Sequence, residues 1–121
     1  MSEPRFKKLR VWQEGMNLVK EIYEITKNFP ESEKYGLSSQ LQRAVVSIPS
    51  NIAEGSGRGT KKDFSHFMNQ ARGSLYEVIT QLEICSEIGL INKEKLDVLE
   101  EKCESLSRQL NSFIVSLKRK I

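Results

Sequence analysis

Apolar positions along the chain recur at steps of three and four, the spacing that puts side chains on one face of an α-helix. Leu9, Trp12, Met16, Val19, Tyr23 and Thr26 follow this rule, and the run ends before Phe29-Pro30, which predicts a first helix over about residues 10 to 28 with that stripe facing the core. The segment Pro30-Glu31-Ser32-Glu33-Lys34-Tyr35-Gly36 is polar and turn-rich. Leu37, Leu41, Ala44, Ile48 and Ile52 then resume the step and predict a second helix.

Gly55, Gly57 and Gly59 each cost a helix about 1 kcal/mol relative to alanine, so the second helix is expected to end near Gly55 to Arg58. Thr60 and Asp63 have the spacing of a capping box and open a third helix, with Phe64, Met68, Ala71, Leu75, Val78, Leu82 and Cys85 on one face. Gly89 supplies the left-handed residue that closes it, with Leu90 packing back against Cys85. Asn92 caps a fourth helix, whose stripe is Leu96, Leu99, Cys103, Leu106, Leu110, Phe113 and Leu117. No segment alternates with the period of two that marks a strand. Three short connections make sequential neighbours antiparallel, so the expected fold is all-α, an antiparallel up-down-up-down four-helix bundle crossing at about 20°.

The length of 121 residues suits one domain over residues 1–121 with one core, and an apolar share of 38% beside a charged share of 29% suits a globular helical chain. No apolar run approaches the ~20 residues that cross a bilayer. The polar start Met1-Ser2-Glu3-Pro4-Arg5 has no secretion-signal stretch, so a cytoplasmic, non-membrane protein is expected. Cys85 and Cys103 fall on apolar stripes, where free thiols act as small hydrophobes rather than as a disulfide.

Ser47-Ile48-Pro49-Ser50-Asn51-Ile52-Ala53-Glu54-Gly55-Ser56-Gly57-Arg58 is more distinctive than the periodicity around it. With Leu9-Arg10-Val11-Trp12 and Ala71-Arg72-Gly73-Ser74-Leu75-Tyr76-Glu77, it resembles the four-helix-bundle family encoded by intervening sequences inside bacterial 23S ribosomal RNA genes. The resemblance runs from about Phe6 to Lys118 and extends distantly to the accessory variability protein of diversity-generating retroelements. It implies a helical bundle, and through the distant relative it implies a basic, pentameric partner of a reverse transcriptase and its RNA.

Pro49 interrupts a helical stretch and frees the Val45 carbonyl, so a kink is expected there, with Ser47, Ser50 or Asn51 satisfying the disturbed backbone. Arg43 and Glu77 fall at the same height if helices two and three reverse near residue 60, which predicts a structural ion pair that sets register. The run Gly55 to Lys62 matches neither phosphate-loop motif. His66 is the one histidine and has no triad or metal-ligand spacing around it, so neither catalysis nor a metal or other cofactor is expected.

Charge placement gives the functional expectation. The bundle topology collects residues 1–19, 47–76 and 105–121 in one half. That half carries twelve lysines and arginines against four acids, net plus eight; the other carries seven against twelve, net minus five. Arg5, Lys7, Lys8, Arg10, Arg58, Lys61, Lys62, Lys118, Arg119 and Lys120 are the candidate nucleic-acid contacts, although cations at the end of helix four also suit its dipole. A second apolar stripe on helix one, Val11, Gly15, Leu18, Ile22, Ile25 and Phe29, lies about 100° from the first and is expected to form a homo-oligomer interface. The resemblance makes five the leading stoichiometry. Two readings are compatible with these features: a non-enzymatic module for RNA or an RNA–protein complex, and a protein–protein assembly or scaffold factor without direct nucleic-acid contact.

Overall fold

A computed structural model describes residues 3–119. A 3-10 turn over Arg5–Lys8 precedes four helices: α1 (Arg10–Thr26), α2 (Leu37–Ser56), α3 (Lys61–Glu87) and α4 (Lys93–Arg119), with a second 3-10 turn at Glu31–Glu33 between α1 and α2. Among the described residues there is no strand. Each helix packs against its sequence neighbours and α1 also meets α4. The register is antiparallel: Thr26 near the end of α1 accepts a hydrogen bond from Gln42 near the start of α2, and the hydroxyls of Ser47 on α2 and Ser74 on α3 are hydrogen-bonded to one another.

The expected caps form. Thr60 Oγ1 accepts from the Asp63 amide at 3.1 Å and Asn92 Oδ1 from the Lys95 amide at 2.8 Å, each satisfying a first-turn donor with no helical partner. Gly89 takes φ +83°, and the Leu90 amide returns to the Cys85 carbonyl at 2.8 Å to close α3.

The core is one cluster of aliphatic side chains from all four helices, with Ile22, Leu41, Ile48, Ile52, Met68, Leu75, Leu82, Leu99, Leu106 and Leu110 essentially inaccessible. α2 runs as helix through Pro49, whose ring is itself buried. Asn51 Nδ2 donates to the Ser47 carbonyl at 2.8 Å, and Ser47 Oγ donates to that of Ala44 at 2.9 Å. Gly55 is also helical and buried. A Cβ there would lie 2.7 Å from that of Phe67, so the glycine that costs the helix propensity also permits α2 and α3 to touch.

The face of α1 that enters the core most deeply is the second stripe, about 100° round from the expected one, of which Thr26 is buried and Leu9, Trp12 and Val19 pack partly buried against the core. Val11, Gly15, Leu18, Ile22 and Ile25 are buried within the monomer, and Phe29 packs against the same core, so these residues are not an oligomer interface. At Gly15 α1 lies close to α2: an added Cβ would stand 3.5 Å from Ile48 Cγ2 and 3.6 Å from the Pro49 ring, in ordinary van der Waals contact. Trp12, Met16 and Val19 are left half-buried and Tyr23 exposed.

Two further departures lie at one end. Ile114, rather than Phe113, takes the buried position on α4, and Phe64 is only half-buried on α3. Both phenylalanines turn toward the end where α2 hands over to α3.

Candidate nucleic-acid interface

The chain before α1 folds back over that end. Pro4 starts the 3-10 turn, the Phe6 ring meets the edge of Trp12 at 5.4 Å between centroids, and Gln13 Nε2 donates to the Lys7 carbonyl at 2.8 Å. These contacts place Arg5 and Lys8 beside the last turn of α2 and the first turn of α3. The result is a pole built from the start of α1, the α2–α3 connection and the end of α4.

A hollow of about 960 Å³ opens in this pole. Arg5, Lys8 and Lys61 supply its cations, and Phe6, Phe64 and Phe113 its aromatic wall; Leu9 and Leu117 complete the apolar lining. Phe64 and Phe113 pack on one another at 5.2 Å between centroids, tilted by 56°. The volume is near the upper end of the range for sites that take small ligands.

Lys61 and Lys62 occupy the first turn of α3, where the partial positive charge of the helix end disfavours cations. Lys118 and Arg119 stand exposed in the last turn of α4. Among the described residues, none of Arg5, Lys7, Lys8, Lys61, Lys62, Lys118 and Arg119 has a carboxylate within 4.0 Å. Four of the six ion pairs instead neutralise Lys27, Lys34, Lys93 and Lys102, which belong to the other half of the chain.

Two candidate contacts are partly committed elsewhere. Arg58 pairs with Glu54 at 3.0 Å and lies over the Phe67 ring at 4.8 Å; Arg10 donates to Glu14 at 2.7 Å. Arg10 also borders a second hollow, of about 580 Å³, between α1 and α4. Arg108, Ser105, Ser112 and Ser116 line it, and it shares Phe113 with the polar cavity. Lys120 lies outside the described residues.

Arg43 and Glu77 line one shallow hollow at the same height, as the register required, yet among the described residues no ion pair joins them within 4.0 Å. Glu77 accepts from Gln81 on its own helix at 3.3 Å. Two links that α3 makes to its neighbours use other side chains: Ser74 with Ser47 of α2, and Arg72, whose guanidinium donates to Asn111 of α4 at 2.8 Å and to Asn69 of its own helix at 2.7 Å. Both are neutral-acceptor contacts that a search for opposite charges passes over. The aromatic wall was equally hidden, because Phe64 and Phe113 sit on stripes that read as core.

His66 is exposed and bonded to Gln70 at 3.0 Å. Among the described residues no group of three or more His, Cys, Asp or Glu side chains is placed to hold a metal, and no helix is long and apolar enough to cross a membrane.

Fold and pole together define a small all-α bundle protein with one cationic, aromatic-walled end. The chain belongs to the 23S rRNA-intervening sequence protein family, whose profile matches residues 7–112. Among solved structures it is similar to a protein of unknown function from the S23 ribosomal protein family of Bacteroides thetaiotaomicron, with a TM-score of 0.79. Identity is 23%, and the match covers 86% of this chain and 97% of that one, a likeness that carries the fold alone. No curated protein matches the chain.

Proposed function

We propose that the protein is a non-enzymatic binding protein that holds RNA, or an RNA–protein complex, at its basic pole. The observation that carries this reading is the gathering of cations without carboxylate partners, Arg5, Lys8 and Lys61 among them, around one cavity from segments far apart in the chain. Charges kept unpaired in one place, two of them against a helix dipole that disfavours them, suit a polyanion that supplies the missing countercharge. Affinity for structured RNA at low salt should fall with salt by a slope near 0.7 per phosphate contacted on single strands. Replacing Arg5, Lys8, Lys61 and Lys62 by glutamine should preserve helicity and reduce that slope. Failure of the wild-type protein to retain RNA at low salt, or equal retention by the variant, overturns the reading in favour of a protein–protein assembly factor.

A homo-oligomer is part of the same proposal, through a different face from the one the stripe on α1 suggested. Trp12, Met16 and Val19 of α1 adjoin Val46 and Ala53 of α2 around a shallow apolar hollow of about 360 Å³. An apolar patch across two helices supports self-association, and the family resemblance favours five copies. Light scattering that returned only the monomer mass of 13.9 kDa would remove this part of the proposal.

A further inference from the structure

The lining of the polar cavity is not what phosphate binding alone would need. Three phenylalanines and two leucines line it beside the cations Arg5, Lys8 and Lys61. Phosphates and riboses gain nothing from such a wall, whereas a planar base does. In a duplex the base faces are covered by their neighbours, so RNA can offer a face to an aromatic side chain only where it is unpaired.

Resting on the RNA reading above, we propose that the pole takes a single strand: an unpaired base enters the cavity against Phe6, Phe64 and Phe113, and the adjoining backbone runs into the groove between α1 and α4. Phe113 lines both hollows, so a strand reaching from one to the other crosses that side chain. In the groove, Arg108 has no carboxylate within 4.0 Å among the described residues and Ser112 stands exposed beside it, whereas the Ser105 hydroxyl donates to Glu14 at 3.4 Å and that of Ser116 to the Phe113 carbonyl at 2.7 Å. An arginine with a serine hydroxyl beside it suits phosphate oxygens in sequence-independent contact. Arg10 sits at the mouth, held by Glu14 at 2.7 Å. This makes Phe6, Phe113 and Arg108 ligand contacts, and a bulge, loop or free end the part of an RNA that is recognised.

The test compares a single-stranded RNA of about twelve nucleotides with a blunt duplex of equal length by fluorescence anisotropy, with 2-aminopurine in the single strand to report stacking. The single strand should bind more tightly than the duplex and its 2-aminopurine should be quenched. Phe6→Leu and Phe113→Leu should each weaken single-strand binding by about 5- to 150-fold, the range of one base–aromatic stack, while leaving duplex binding unchanged. Phe6 lies in the 3-10 turn outside the core cluster, so its variant tests the idea even if Phe113→Leu disturbs α4. Arg108→Gln should lower the single-strand salt slope by about 0.7 and keep the quenching. Equal binding of both RNAs, with Phe6→Leu as tight as wild type, overturns this inference and leaves phosphate-directed binding standing. Absence of binding to either RNA at low salt overturns both. Saturation of the cavity by laurate without any loss of RNA affinity also overturns it, assigning the cavity to aliphatic anions.

Discussion

Gln109 of α4 donates from Nε2 to Oε2 of Glu14 on α1 at 2.7 Å, and this charge-assisted bond helps to close the seam between the first and last helices. Ser105 Oγ reaches the other carboxylate oxygen at 3.4 Å, and Lys102 of α4 pairs with Glu21 further along α1.

The seam should therefore weaken in acid. Burial pushes the Glu14 carboxyl up, but the hydrogen bonds from Gln109, Arg10 and Ser105 and the charge of Arg10 together hold it below its ordinary value of 4.5. A folded-state pKa below the unfolded one gives stability that is complete above the unfolded value and is lost as pH falls through the folded one. Thermal melts followed by circular dichroism should show a fall in Tm below about pH 4.5, and Glu14→Gln should flatten that part of the profile.

The opposite sign is expected where α3 and α4 bring two carboxylates together. Burial, a hydrogen bond to Glu83 and the charge of Glu83 all push the Glu100 carboxyl above 4.5. A raised folded pKa gives stability that is present at low pH and lost as pH rises through it. Glu83→Gln should raise stability at pH 7 by about 0.5 kcal/mol, the scale of an exposed charge pair, with the gain vanishing in acid; equal melting of the two proteins at neutral pH would refute this.

Two glycines should respond oppositely to alanine. At Gly55 the new methyl would meet Phe67 Cβ at 2.7 Å and Phe64 Cδ1 at 3.0 Å, so α2 and α3 must separate at a cost of about 1–3 kcal/mol, with the cavity wall displaced. Gly73 lies exposed within α3, and a methyl on its backbone would meet nothing within 4 Å, so alanine there should stabilise by up to about 1 kcal/mol. Denaturant melts of the two variants measure both signs at once.

The cysteines should be inert until the bundle opens. Burial drives the Cys103 thiol up to about 12 and that of Cys85 up to about 11, and nearby carboxylates add to both shifts. Thiolate is the reacting form, so modification by a disulfide reagent at pH 8 should be slow in the native protein and fast in denaturant. Rapid native labelling of either would show that its helix opens locally.

Helix existence, order and antiparallel register were legible in the chain because each rests on local rules. The three-and-four spacing of Leu96, Leu99, Cys103, Leu106 and Leu110, the amides satisfied by Thr60 and Asn92, and the left-handed turn at Gly89 depend on residues a few positions apart. The clustering of charge followed from topology, since short connections leave no other way to arrange the ends. The cavity did not follow, because Phe64 and Phe113 satisfy a core stripe whether or not a neighbouring helix covers them.

By itself, then, the sequence determined four amphipathic helices, their caps and the basic character of one end, all consequences of spacing and composition. It could not choose between the two stripes of α1: Leu9-Trp12-Met16-Val19 and Val11-Gly15-Leu18-Ile22 are both apolar and differ by one residue's rotation. Tertiary structure decided that choice by burying Val11, Leu18, Ile22 and Ile25 within the bundle and leaving Trp12, Met16 and Val19 half-buried. It also decided that Arg43 and Glu77 share a height without pairing, since register places backbones while side-chain geometry makes the bond. The same is true of the pole, where Phe6 joins the packed pair Phe64 and Phe113 around one cavity only because the N-terminal turn folds over the junction of α2, α3 and α4.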